Sequence, residues 1–522
     1  MKLSRRDFFR IAVAAGTLPT STAMAALQGD KTPHQPRRGD GADGVVLTLL
    51  HTNDPHGRVY LPGEVQGLSR LATLIRAVRA EMPNTLLFDA GDLFHGTPED
   101  RFYEGKPIIR SMNTLGYDAA TAGNHEFDFG QRILKQAIEM ADFPMLSANV
   151  LDEKTGAPWG GFKPYIVKEK QGVKVLIFGL TTLDTARLQF PRTLAGMRFA
   201  DPLETARKLV PELRAKEKPD VVVFLSHLGY KLDCELAAAV SGIDVILGGH
   251  SHTYLPEQIW VGDTLIMQTG CHGKALGRVD ILVTRQADGR AALTINGKNK
   301  RWWGVDGGVV PLGKQYPTGP LLEPKVDTKE DALVLAAYLP YRIKTNERHA
   351  EVLTTATVSF PVEGIADREM PLGDLLAEAV RVKFNVDVGF VPSGAITGGL
   401  PAGPISLGDA WNTIGGYTRQ QVVTARASGA QLRALMKRTA KTAPCEMQIS
   451  GLTEVGGVLQ IGGKPVVDTA FYTVAAASYF IQGQLMGRKG VTILNDDPEA
   501  LTTREALIEY LRAHKPVSPI VS

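Results

Sequence analysis

Apolar residues in this chain fall in short blocks separated by longer stretches of mixed polarity. Val45 to Leu50, Thr85 to Phe88, Val173 to Phe178, Val221 to Leu225 and Val245 to Leu247 are rich in β-branched residues and too short for helices, so they predict buried strands. Leu68 to Glu81, Gly130 to Met140 and Leu203 to Lys216 carry helical patterning between them, which gives the strand and helix alternation of an α/β domain. Asp118 to Ala122 is a weaker strand candidate. A connecting helix is expected from about Glu330 to Asn346, ended or kinked at Pro340, because proline has no N–H to give and clashes with the preceding turn. A second mixed α/β segment begins near Val352.

Length and charge narrow this picture. With 522 residues and 44% hydrophobic content the chain exceeds one ordinary domain, so two are expected. A formal net charge of +3 with no long basic run gives no support for binding a nucleic acid polymer or a membrane surface, and the substrate is expected to be small. The opening Ser4-Arg5-Arg6-Asp7-Phe8-Phe9-Arg10, the apolar stretch from Ile11 to Leu18 and the small residues Ala23-Met24-Ala25 read as a twin-arginine signal over residues 1–26. The Gly-, Pro-, Lys- and Asp-rich residues 27–44 read as a tether. No later apolar run reaches the roughly 18 residues of a membrane span. The expectation is a protein handed to the twin-arginine export machinery, periplasmic or otherwise exported, with no integral span. Cys234, Cys271 and Cys445 are too scattered for a disulfide framework and are expected to be small buried hydrophobes.

The chemistry is concentrated in the first part of the chain, where eight of the 11 histidines fall between His51 and His272. Five motifs come in order, nearly all directly after a predicted strand: Asp54-Pro55-His56, Gly91-Asp92, Gly123-Asn124-His125-Glu126, Ser226-His227 and Gly248-Gly249-His250-Ser251-His252. Ligands collect at the carboxyl ends of strands in such sheets. The motifs supply carboxylate, imidazole and amide donors, and a site for two metal ions needs these together with one carboxylate able to bridge. Glycines beside Asp92 and Asn124 let backbone pass close to ions. Alone, each pair is a common turn; the ordered set is what points to metal-assisted hydrolysis. Oxygen and nitrogen donors suit Mn, Zn, Fe or Co.

With these residues in view, the chain resembles the calcineurin-like metallophosphoesterases, and among them the exported 5′-nucleotidase family. Leu50-His51-Thr52-Asn53-Asp54-Pro55-His56-Gly57, Gly123-Asn124-His125-Glu126-Phe127-Asp128, Gly249-His250-Ser251-His252 and Gln268-Thr269-Gly270 carry the likeness, and Arg368 to Leu375 and Leu400 to Ile405 extend it into the C-terminal part. The resemblance implies an α/β fold: a four-layer metallophosphoesterase β-sandwich flanked by helices over 45–329, a linker helix over 330–350 and a second α/β C-terminal domain over 351–522. It implies one ion held by Asp54, His56, Asp92 and His252 and a second by Asp92, Asn124, His227 and His250. It also assigns His125, oriented by Asp128, to the transition state. The implied reaction releases phosphate from nucleotides or related phosphomonoesters by attack of a metal-bound water.

The C-terminal part departs from the family pattern. Pro392-Ser393-Gly394-Ala395-Ile396-Thr397 stands where the family has an arginine-bearing Asn-Gly-Gly-Gly-Ile-Arg stretch, and Leu485 stands near the place of an acidic residue. Tyr417, with Tyr479 or Phe480, is left as a substrate-binding pair to stack on a base, or else as core. His95 and His272 fill no family ligand position and are expected in loops or behind the ligands. Two other readings stand beside the first: a thiosulfohydrolase of sulfur oxidation, and a non-catalytic exported binding protein.

Overall fold

The computed structural model describes residues 44–189, 193–295, 298–299, 321–415, 421–439, 445–481, 491–495 and 501–520. The expected export signal, the tether up to residue 43, Tyr417 and Leu485 lie outside them, as does the side chain of Tyr479. Among the described residues no helix is long and apolar enough to cross a membrane.

The chain divides into two compact units, the first made of residues up to Glu126, Arg132–Thr185 and Gly196–Pro340, the second of Phe127–Gln131, Ala186–Ala195 and Tyr341–Ser522. In chain order the strands of the first unit that build its two larger sheets include β1 (Gly44–Thr52), β2 (Thr85–Asp89), β3 (Ala119–Thr121) and β4 (Met145–Leu146). They continue with β5 (Tyr165–Lys170), β6 (Val173–Thr181), β7 (Val221–His227) and β8 (Val245–Gly248). The last are β9 (Ile259–Val261), β10 (Thr264–Met267), β11 (Leu276–Arg285) and β12 (Ala291–Ile295). One sheet runs β12-β11-β1-β2-β3-β4 and the other β9-β10-β8-β7-β6-β5.

Leu47 and Leu49 of β1, Phe88 of β2, Ile177 of β6, Val223 and Leu225 of β7 and Leu247 of β8 belong to one buried cluster, so the two sheets share a core as a sandwich. Full burial of each such side chain is worth about 1.5–3 kcal/mol. The far face of the second sheet is covered by the helices Pro202–Glu217 and Tyr230–Ala239, whose Ala206, Val210, Leu213 and Leu236 pack on Phe178 and Phe224. Leu68–Glu81 forms a helix whose Leu71 and Ile75 are buried. This is the α/β arrangement expected from the alternation of strand and helix patterns, built as the flanked sandwich that the resemblance implied.

Topology places the chemistry. β1, β2, β3 and β4 are parallel to one another in turn, as are β6, β7, β8 and β10. Thr52 pairs with Asp89 and Asp89 with Ala120, while Gly248 pairs with Ser226. The strands therefore stop almost level, and the loops after β1, β2, β3 and β8 leave from neighbouring carboxyl ends.

The connecting helix is present as Ala332–His349 and continues through Pro340. One expectation is corrected. The three cysteines are free but only partly buried. Cys234 lies on the helix Tyr230–Ala239 and packs against the core, and Cys271 and Cys445 lie in loops.

The second unit has its own mixed sheet. It contains β13 (Val388–Pro392), β14 (Val422–Ser428), β15 (Met447–Ser450), β16 (Phe471–Ala477) and β17 (Thr492–Asn495), in the order β15-β13-β16-β14-β17. Phe390, Val423, Leu432, Val474 and Phe480 share its core. A buried glutamine joins the pieces: Gln448 Nε2 donates to the carbonyls of Ile365 and Arg368 and to Ser393 Oγ at 2.9, 3.0 and 3.0 Å, and its Oε1 accepts from the Met370 N–H at 2.9 Å.

Candidate metal centre

Asp54, His56, Asp92 and His252 each offer a ligand atom within 4.8 Å of the others, and Asp92, His227 and His250 form a second such group. Asp92 belongs to both. Asn124 Oδ1 lies 3.3 Å from His227 Nε2, beside the second group.

Backbone conformation delivers these side chains. Asp54, His56, Asp92, His95, His250, His252 and His272 all have positive φ, between 48° and 74°. Non-glycine residues rarely adopt this region, and His, Asp and Asn tolerate it better than most. Gly123 serves another need: a Cβ there would stand 2.2 Å from Asp92 Oδ1, so only glycine lets the loop after β3 lie against that carboxylate. The His125 N–H then donates to Asp92 Oδ1 at 2.9 Å.

The imidazoles are oriented from behind. His227 Nδ1 sits 2.7 Å from the Ala90 carbonyl and His56 Nδ1 3.2 Å from that of Phe94. A proton on each Nδ1 satisfies those carbonyls and makes Nε2 the ring atom turned toward the centre, where it would bind an ion. His56 Nε2 and His252 Nε2 approach to 3.0 Å, two ring nitrogens converging on one region.

The carboxylates pair with histidines. Asp92 lies 3.1 Å from His227 and 4.0 Å from His56, and Asp54 lies 3.4 Å from His252. Burial opposes charge on His227, yet Asp92 beside it raises its pKa to about 9. Burial likewise opposes charge on His252, but hydrogen bonds with Asp54 and the Cys271 thiol lift it to about 10. Burial alone dominates at His56 and lowers it to about 4. Burial also works against ionising Asp92, and its histidine neighbours hold it well below the usual carboxylate range. Carboxylates 0–2% exposed and surrounded by imidazoles fit bound divalent cations, which need hard oxygen and borderline nitrogen donors.

Several supporting residues were quoted from the sequence without a role. Glu126, fully buried, accepts from the N–H groups of Leu93, Asp92 and Gly123 at 2.6, 3.0 and 2.5 Å, and so ties the loops after β2 and β3 together. Asn53 donates to Asp54 Oδ2 and the Gly270 carbonyl at 2.6 Å each and accepts from Thr269. Gln268 donates to the Gly249 carbonyl at 2.8 Å and accepts from Ser251 Oγ. Their only signal in the sequence was adjacency to ligand motifs.

His125 opens a short 3-10 turn, His125–Phe127, and its partly exposed ring lies 5.2 Å from that of His56. Asp128 is buried and accepts from Gln189 Nε2 at 2.5 Å. Phe480 is 4% exposed and packs on Phe390 with ring centroids 5.9 Å apart, which makes it a core residue of the second unit and not a stacking surface.

Residues 47–254 match the family model described as calcineurin-like phosphoesterase, and residues 351–487 that described as 5′-nucleotidase, C-terminal domain. A 5′-nucleotidase of Vibrio vulnificus is 32% identical over 75% of this chain and 75% of its own length. The crystal structure of a 5′-nucleotidase precursor from Thermus thermophilus superposes with a TM-score of 0.62 at 27% identity, covering 91% of this chain and 98% of the other. A sulfate thiohydrolase, SoxB, of Thermus thermophilus covers 91% of this chain and 95% of its own at a TM-score of 0.58; at 21% identity this likeness is one of fold.

Proposed function

The chain belongs to the 5′-nucleotidase family of calcineurin-like phosphoesterases and is a metallophosphoesterase; from that premise we propose that it holds two divalent ions and hydrolyses nucleotide-like phosphomonoesters after export. The observation that carries this reading is the pair of ligand groups sharing Asp92. Asp54, His56, Asp92 and His252 would hold one ion, and Asp92, Asn124, His227 and His250 the other. Bound divalent ions would supply an acidified water and neutralise charge on the phosphoryl oxygens.

The chain's own residues do the rest. Asp92 fixes the spacing of the two groups, and Glu126 fixes Asp92 by binding the backbone of its loop. His125 stands beside Asn124 with its ring partly open, and donates a proton to the leaving oxygen or stabilises charge developing there. Asp128 orients His125. Thr397, in place of the family's arginine, leaves the nucleobase without that directional contact, so recognition rests on stacking by Tyr417 and Tyr479 and tolerates different bases. Export is supported by the Arg5-Arg6 stretch and the apolar run after it.

The deciding experiment is phosphate release by the purified mature protein from nucleoside monophosphates, sugar phosphates, cyclic nucleotides and aryl phosphates, with Mn, Zn, Fe and Co varied. Release from purine and pyrimidine monophosphates at similar kcat/KM is expected. Turnover only of sulfur-bound conjugates would replace the phosphatase reading with the thiosulfohydrolase one, and metal binding without any turnover would leave a binding protein.

A further inference from the structure

Besides His125, two histidines at the centre belong to neither ligand group. His95 stacks on His125 with ring centroids 5.5 Å apart and planes 21° apart. His272 meets His56 at 5.6 Å and His252 at 5.9 Å, both edge to face. Together with the 5.2 Å contact of His125 and His56, the rings form a chain from His95 through His125 and His56 to His272.

Both are built in with care. Each has the left-handed backbone seen at Asp54, His56, Asp92, His250 and His252. The His95 N–H donates to Asp100 Oδ2 at 2.5 Å, and a Cβ on the next residue, Gly96, would stand 2.4 Å from the His56 carbonyl, so this loop presses directly on His56. The His272 N–H donates to the Asp54 carbonyl at 2.8 Å. A histidine needed only for packing would not require such a conformation twice; strain of this kind collects where a side chain must be aimed.

We propose that His95 and His272 bind phosphoryl oxygens, giving the centre an imidazole donor on each side of His56 in addition to its metal ligands. The inference rests on the phosphomonoesterase reading above and deepens it. A ring N–H is a donor to an anionic oxygen, and such bonds to charged groups are stronger than neutral ones. His95, stacked on His125, is positioned to share the leaving-group side, and His272, against His56 and His252, the opposite side.

The test uses full-length protein loaded with metal. Glycine suits both backbones and deletes the ring without adding strain, and asparagine suits them while keeping an N–H donor. Calorimetric titration of inorganic phosphate, run beside metal analysis, should show His95→Gly and His272→Gly with the parent's metal content and phosphate affinity weaker by about tenfold each, since a hydrogen bond to a charged group is of that order. His95→Asn and His272→Asn should recover part of it, and KM for a phosphomonoester should rise with the phosphate constant. Loss of metal from either glycine variant overturns the assignment, because that ring would then be a ligand. A parent that releases no phosphate from any ester sinks the reading beneath the inference; a parent that does so, with glycine variants of unchanged phosphate affinity, sinks the inference alone.

Discussion

Buried polarity is handled in opposite ways by the two units. In the second, Gln448 is fully buried and its amide is spent on neighbours, the carbonyls of Ile365 and Arg368, Ser393 Oγ and the Met370 N–H. In the first, Asp54, Asp92, His56 and His252 are aimed at one another, with ring nitrogen facing ring nitrogen at His56 and His252. A polar group satisfied by the fold holds the fold together. Buried carboxylates and imidazoles converging on one point mark a place where a cation can bind.

The strongest test of that contrast is Asp92→Ala. One carboxylate belongs to both ligand groups, so turnover should fall to background and bound metal should drop in metal analysis; full occupancy would end its assignment as the shared ligand. Next in size is His125→Ala, expected to keep its metal while kcat falls ~10²–10⁴-fold, the usual range for a proton-transfer group. Loss of metal together with activity would instead make His125 a ligand.

Gln448→Leu addresses the other side. It orphans several buried partners, each costing about 1–3 kcal/mol, so the second unit's unfolding midpoint in denaturant should fall by the equivalent of ~3 kcal/mol or more. Metal content should stay at the parent's level, and metal loss on this change would break the contrast.

An effect that is silent at neutral pH concerns His51, which sits in β1 with both ring nitrogens unpartnered and its ring where a side chain on Gly277 would be. Burial lowers its pKa from 6.5 to about 3. The unfolded chain then binds the proton first, so stability begins to fall as pH drops below 6.5 and the loss is complete near pH 3. His51→Leu should flatten the acid side of the stability profile over that window, and an unchanged profile would refute the assignment.

How much the sequence revealed followed from how local each signal is. β1, β2, β7 and the helix Leu68–Glu81 were legible because apolar blocks and helical periodicity are properties of a few consecutive residues. The motifs that converge around Asp92 were legible because strand ends concentrate them. Pro340 left two outcomes open, and the helix Ala332–His349 continues past it because the missing hydrogen bond is a local penalty that the rest of the helix overrides. Glu126, Asn53 and Gln268 gave no sign of their roles because those depend on loops brought together only by the parallel order of the strands. Phe480 was ambiguous for the same reason: an aromatic ring reads alike as stacking surface or core until its neighbour Phe390 is known.

The left-handed backbone at Asp54, His56, Asp92, His250 and His252 also bears on how such a protein can change over generations. Each such residue costs about 1 kcal/mol or more of conformational strain. Replacement by glycine removes the strain and the ligand in one step, so mutations that silence the centre can leave the fold sturdier than before. Only continued selection for turnover opposes that drift, and a descendant released from it would be expected to lose these candidate ligands to glycine while its sandwich persists.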